Sequence, residues 1–388
     1  MRFDPKPLFL PYYFPSLLAW IAASSVGPVL PLYAQSLGAG IAGAGAVIGM
    51  VGFGSLVGNI PAGIIIPRFG PRRVLIAAYL TEAIAFALTL LVTTLLPLMV
   101  LMFVTGVAHA MARITQLYIF RGTIPKERRG RALALLAGNM RIGSFIGPAT
   151  GGFIVLYLGY AAYFVFSAAI VSFAGVISFF TVPRSVYREA ATDQDGAPSV
   201  FAIVRDNRVV FLTAGFAIVM LQMMRFARQA VLPLWGVHIG IDIAAIGTLF
   251  SIMTGVEMLL FYPAGYIMDR FGRRATGLPA MLILAVALAL TPLVSSYGVF
   301  ILVVVISGVG NGLGSGINMT LSTDYAPDEA AGRFLGIWRT IGDAGTTVGP
   351  ILIGALGAAV SLAVAPLVVA GMGIAGAVAL VFAPPPRK

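Results

Sequence analysis

The sequence contains no cysteine and only two histidines, His109 and His238. That excludes disulfides, thiolate chemistry and a His-rich metal site. Charge is nearly as scarce: Asp, Glu, Lys and Arg make up 10% of the 388 residues, against 59% hydrophobic. A soluble domain carries about 25% charged residues, so what this chain lacks is a solvated surface. Acids are the scarcest class, 14 against 25 bases, for a net charge of +11. No nucleophile–base pair, metal cluster or phosphate loop stands out, and an enzyme is not expected. The glycine-rich 308–316 stretch, GVGNGLGSG, follows no soluble strand and reads as helix packing.

What is present is a series of long apolar runs. They divide into twelve spans at about 8–36, 41–67, 74–95, 97–122, 131–157, 160–182, 208–237, 243–268, 275–295, 298–323, 332–357 and 361–383. A bilayer crossing needs about 20 such residues. The first span is too long, and too polar at its far end, for a cleaved signal peptide. The polar stretch 183–206 separates two sets of six, giving an N-terminal bundle over 1–182, a linker, and a C-terminal bundle over 207–388. The fold class is therefore an all-α polytopic membrane protein.

The positive charge follows this division. Of the 25 Lys and Arg, 20 lie at the termini, in the linker or in alternate connections, and the other connections carry none. By the positive-inside rule both termini and the linker are cytoplasmic. The basicity is topology rather than affinity for nucleic acid.

The chain is also duplicated. Tyr262 to Arg274 reads YPAGYIMDRFGRR, and 202 positions earlier Ile60 to Arg73 reads IPAGIIIPRFGPRR. The same offset aligns Leu30-Pro31-Leu32 with Leu232-Pro233-Leu234, Gly130-Arg131 with Gly332-Arg333, and Gly143, Gly147 and Pro148 with Gly345, Gly349 and Pro350. A gap-free register of this length marks two parallel repeats, an architecture of membrane transporters.

Twelve spans in two halves, with a GxxxDRxGRR hairpin after spans 2 and 8, resemble the major facilitator superfamily. The resemblance implies two pseudo-symmetric six-helix bundles. The second hairpin matches that family's loop signature through Gly265, Asp269, Arg270, Gly272, Arg273 and Arg274. The first keeps Gly63, Arg68 and Gly70 but has Pro67 in place of the usual Asp. The resemblance makes both hairpins a conformational gate. In span 5, Gly143, Gly147, Pro148, Gly151 and Gly152 resemble the antiporter signature of drug and metabolite exporters, with Ala134 at its first glycine.

With the residues at the span ends counted among the connections, eight charged residues remain inside the spans: Arg113, Arg141, Arg225, Arg228, Arg339, Glu82, Glu257 and Asp343. Each costs about 2.5–3.5 kcal/mol near mid-bilayer, so each faces protein or water rather than lipid. At about 1.5 Å per residue, Arg113, Arg141, Glu257 and Asp343 come out near the membrane midplane. Thr105, His109, Arg113 and Gln116 form one stripe on span 4. Their repeat images on span 10 include Asn311 and Asn318, and span 7 carries Gln222, Arg225 and Arg228. In the family's fold, spans 1, 4, 7 and 10 line the cavity. The substrate contacts are therefore expected among His109, Arg113, Gln116, Gln222, Arg225, Arg228, Asn311 and Asn318.

Glu257, Asp343 and Glu82 are the acids available for proton coupling. Arg339 and Asp343 sit four apart and can pair along their helix. Arg141 faces the repeat position of Asp343 and joins the charge pairs.

The expectation is a secondary active transporter, most simply a proton-coupled exporter of a small amphipathic or anionic organic compound, acting as a monomer in a bacterial cytoplasmic membrane. It needs no cofactor beyond the proton gradient. An anion symporter or exchanger on the same fold, or a lipid or lysolipid flippase, is the alternative. A non-transporting receptor or scaffold has no use for midplane charges and a duplicated gate.

Overall fold

The computed structural model describes residues 8–124, 126–183, 200–327 and 330–385. Most of the linker, 184–199, lies outside them. The described residues form twelve long helices and no strand. They are α1 (Phe9–Ser36), α2 (Ile41–Phe69), α3 (Pro71–Thr89), α4 (Leu95–Thr123), and α5 and α6, a single run Lys126–Thr181 that turns at Gly159. The second set is α7 (Arg208–His238), α8 (Ile243–Phe271), α9 (Arg274–Leu293), α10 (Tyr297–Tyr325), α11 (Ala331–Ala359) and α12 (Val364–Val381).

The helices end where the sequence forces them to. Gly70, with φ +85°, caps α3 ahead of Pro71, and its repeat image Gly272 has φ +89°. Such angles cost a side chain about 1–2 kcal/mol, which accounts for these two glycines of the hairpins. Large apolar side chains such as Ile64, Leu91, Phe180 and Leu259 lie largely exposed on the outer faces. Helices whose backbone groups are paired internally can carry that surface only in lipid.

The helices form two compact units. The first takes the described residues within 1–39, 50–192 and 242–251; the second takes those within 40–49, 193–241 and 252–388. Each is packed through glycine. In the first unit, a methyl group added at Gly147 would lie 2.3 Å from the Ile21 carbonyl oxygen, and one at Gly143 would lie 2.7 Å from Trp20 Cβ. In the second, one at Gly345 or Gly349 would meet the Val219 or Met223 carbonyl oxygen at 2.4 or 2.3 Å. Without a hydrophobic drive between helices in lipid, such close backbone approach supplies the packing. These contacts hold α1 on α5 and α7 on α11.

Candidate functional site

In the first unit the polar residues of three helices converge. On α4, His109, Arg113 and Gln116 share a stripe, as the helical spacing requires. His109 Nδ1 sits 3.3 Å from Glu82 Oε1 on α3. The Glu82 side chain is 0% exposed and that of His109 is 19% exposed. The second carboxylate oxygen, Oε2, is buried and has no hydrogen-bond partner among the described residues. The Trp20 ring of α1 meets the His109 ring edge-on, with centroids 5.1 Å apart. One turn along α3, the Tyr79 hydroxyl accepts a hydrogen bond from Gln116, and the Gln116 carbonyl accepts one from Ser16 on α1. The cluster thus places an acid behind a histidine and ties α4 to both α3 and α1.

The second unit builds a different pair. Arg228 on α7 donates to Glu257 Oε1 on α8 at 2.7 Å. Its Nη1 donates to the Ser307 hydroxyl at 3.2 Å and lies 3.2 Å from the Met253 sulfur. The two charged side chains are 6% and 14% exposed. Glu257, alone on its own span, is therefore matched from the neighbouring helix. One turn back on α7, Arg225 donates to Gln222 at 2.9 Å and to the Gly314 carbonyl at 2.7 Å.

That carbonyl sits at a break. α10 runs as Tyr297–Leu313 and Ile317–Tyr325, with Gly316 at φ +84° between them. The repeat partner α4 has no such break. Just before the break, Asn311 is half-buried, and its Oδ1 is buried without a partner among the described residues. Just after it, Asn318 accepts a hydrogen bond from the Trp338 indole at 2.8 Å. On α11, Arg339 and Asp343 pair at 4.0 Å across one helical turn. Arg141 is half-buried on α5 of the first unit.

At the hairpins, Arg72 donates to the Phe179 carbonyl, and its image Arg274 donates to the Ala383 carbonyl. Each ties the start of the third helix of its set to the end of the sixth. Arg273 adds a two-point contact to Asp324, 2.6 Å at its closest. Those hydrogen bonds hold the Arg273 guanidinium above its ordinary pKa. The images of these two residues are Pro71 and Gly122, so the first hairpin has no such pair. Arg68 and Arg270 each lie 5.5 Å from the ring of the following phenylalanine. Asp269 is exposed, Gly265 has open space around it, and Gly63 lies outside the residues whose packing is described.

The span 5 motif has two faces. Gly143, Gly147 and Gly151 meet α1, whereas Gly152 meets Ile243, Ala244 and Gly247 of the α8 segment in the same unit. Ala149 N–H also donates to the Ser251 hydroxyl at 3.1 Å. Gly45 and Gly354 make the matching approach in the second unit, where a methyl group at Gly45 would lie 2.4 Å from the Pro350 carbonyl oxygen. Gly45 and Gly247 are repeat images; the 202-residue offset alone marks them, although neither belongs to a named motif.

Two sets of six apolar helices, each burying an acid against a basic side chain inside a duplicated frame, define a polytopic membrane transporter. The chain belongs to the Major Facilitator Superfamily, whose family model matches residues 13–227 and 215–388. Its members are transporters, not enzymes. The chain is 20% identical over 333 residues to an uncharacterized MFS-type transporter of Methanocaldococcus jannaschii, covering 85% of this chain and 86% of that one. It is 26% identical over 193 residues to the multidrug resistance protein MdtG of Erwinia billingiae, covering 48% of this chain and 46% of MdtG. That match spans about half the length of MdtG.

Among solved structures the chain superposes on the nucleoside transporter NupG with a TM-score of 0.79, covering 97% of this chain and 98% of that one. It superposes on a bacterial homolog of the human lysosomal transporter Spinster with a TM-score of 0.77, covering 98% and 96%. Both are 14% identical and speak to the fold alone.

Proposed function

We propose that this chain is a secondary active transporter of the bacterial cytoplasmic membrane, with both termini cytoplasmic. It works by alternating access and couples export of a small amphipathic or anionic organic compound to proton entry. The observation that carries the reading is Arg225 beside the broken helix α10. Transporters of this kind bind substrate where membrane helices are interrupted, and there the freed backbone groups and a nearby charge receive a polar substrate. Here the interruption at Gly314–Gly316 lies next to Asn311 and against the Arg225 guanidinium. A guanidinium is suited to carboxylate or phosphate groups. The span 5 glycines and the likeness to a multidrug resistance protein support export. Arg113 on the α4 stripe is the second candidate anion contact.

The test is transport into liposomes containing purified protein and a pH-sensitive dye, with organic anions, organic cations and lysolipids supplied in turn. An anionic compound is expected to drive proton movement. Arg225→Ala and Arg113→Ala are each expected to weaken transport about tenfold or more, the loss of one charge-assisted contact. Equal transport of cations, with both variants unaffected, overturns the anion assignment. Transport of lysolipid with no proton signal points instead to lipid movement.

A further inference from the structure

We infer that the proton site of this transporter is the Glu82–His109 pair, with Glu82 holding the proton and His109 relaying it. The inference rests on the reading of the chain as proton-coupled and names the site of that coupling.

Three observations carry it. Glu82 is completely buried, so no water reaches it directly, and one of its oxygens has no partner among the described residues. A buried carboxylate left so under-bonded is costly, and a proton on the carboxyl group removes the charge. Its other oxygen meets His109 Nδ1, and the histidine side chain is 19% exposed. An exposed imidazole in mid-span belongs on a water path, since lipid penalises it. Imidazole has two nitrogens and relays a proton without moving. A proton binds at Nε2, the proton on Nδ1 passes to Glu82 Oε1, and the ring is left in its other tautomer. Release runs in reverse, and only N–H and O–H bonds form and break.

Among the described residues, few ionisable groups lie on the helices packed around the pair. Tyr79 lies on the same helix, and Arg113 sits one turn beyond His109 on α4. α1 contributes Trp20 and Ser16, neither of which titrates in the working range. α6 packs on α3 with Gly175 against Tyr79, and its residues 160–181 carry no charge. α2 carries none before Arg68. Of the other two intramembrane acids, Glu257 is bonded to the permanently charged Arg228 at 2.7 Å and Asp343 lies 4.0 Å from Arg339.

The experiment is infrared difference spectroscopy of the purified protein between acidic and alkaline buffer, with no substrate or gradient. Wild type is expected to show the carbonyl stretch of a protonated carboxyl group at acidic pH. Glu82→Gln is expected to lose it. His109→Gln is expected to keep it, but its proton should exchange with heavy water about a hundredfold more slowly. If Glu82→Gln does not fold, Glu82→Asp serves, and the band is expected to shift. A band unchanged in Glu82→Gln, unshifted in Glu82→Asp, or absent from wild type overturns the site. An exchange rate equal to wild type in His109→Gln overturns the relay. Because no transport is measured, failure of the export reading leaves this result standing and separate.

Discussion

In the first unit the buried acid, Glu82, faces a histidine; in the second, Glu257 faces an arginine. Both pairs bridge consecutive helices, α3 to α4 and α7 to α8. Yet they do not stand at equivalent places in the repeat. The image of Glu82 is Leu284 and that of Arg228 is Val26. The glycines and prolines, by contrast, coincide: Gly143 with Gly345, Gly147 with Gly349, Pro148 with Pro350, Gly45 with Gly247, and Gly70 with Gly272. The difference teaches which features the frame requires. Close helix approach and sharp turns are geometric demands common to both bundles. Charge placement is free to diverge, and here it has set a histidine against one buried acid and an arginine against the other.

The largest effect is expected from breaking the second pair. Glu257→Gln leaves Arg228 buried without its counter-charge, a loss of about 3–5 kcal/mol. Thermal unfolding in detergent should show it, and Arg228→Met in the same chain should recover most of the loss. Glu82→Gln is expected to cost less, about 1–2 kcal/mol, because a neutral amide still bonds His109. Equal losses in the two acids would erase the distinction between the units.

Next come the shared glycines. Gly247→Val and Gly45→Val each push a side chain into a proline carbonyl that a methyl group already meets at 2.3 and 2.4 Å. Each should destabilise by about 1–3 kcal/mol, and by similar amounts if the two approaches are equivalent. At the hairpin, Gly272→Ala should cost about 1–2 kcal/mol for its positive φ, whereas Gly265→Ala, in open space, should stay within about 0.5 kcal/mol. Among the charge contacts the smallest loss is expected from Asp324→Asn, which loosens a partly exposed pair worth about 1 kcal/mol or less. Its effect should shrink further in high salt.

Much of this was legible in the sequence because it is periodic or repeated. Apolar run length yields the twelve helices, and the 202-residue offset yields the duplication. The stripe His109–Arg113–Gln116 follows from helical spacing. The Arg339–Asp343 pair follows in the same way, since both residues lie on one helix. The two pairs that matter most did not follow. Glu82 and His109 are 27 residues apart, and Arg228 and Glu257 are 29 apart. Which residues of adjacent helices meet depends on their relative rotation and sliding. Glycine contacts set those quantities, and no single-helix pattern encodes them. The break in α10 is written in the alternating glycines 308–316, but the same glycines also serve packing, against Met253, Leu284 and Leu260. Composition alone does not separate the two roles.

The most direct test compares the two acids in one assay: substrate-driven proton movement in liposomes for wild type, Glu82→Gln and the Arg228→Met/Glu257→Gln double variant. The account predicts that Glu82→Gln moves substrate down its gradient with no proton signal. A signal intact in Glu82→Gln and lost in the double variant would contradict it, placing the coupling in the second unit.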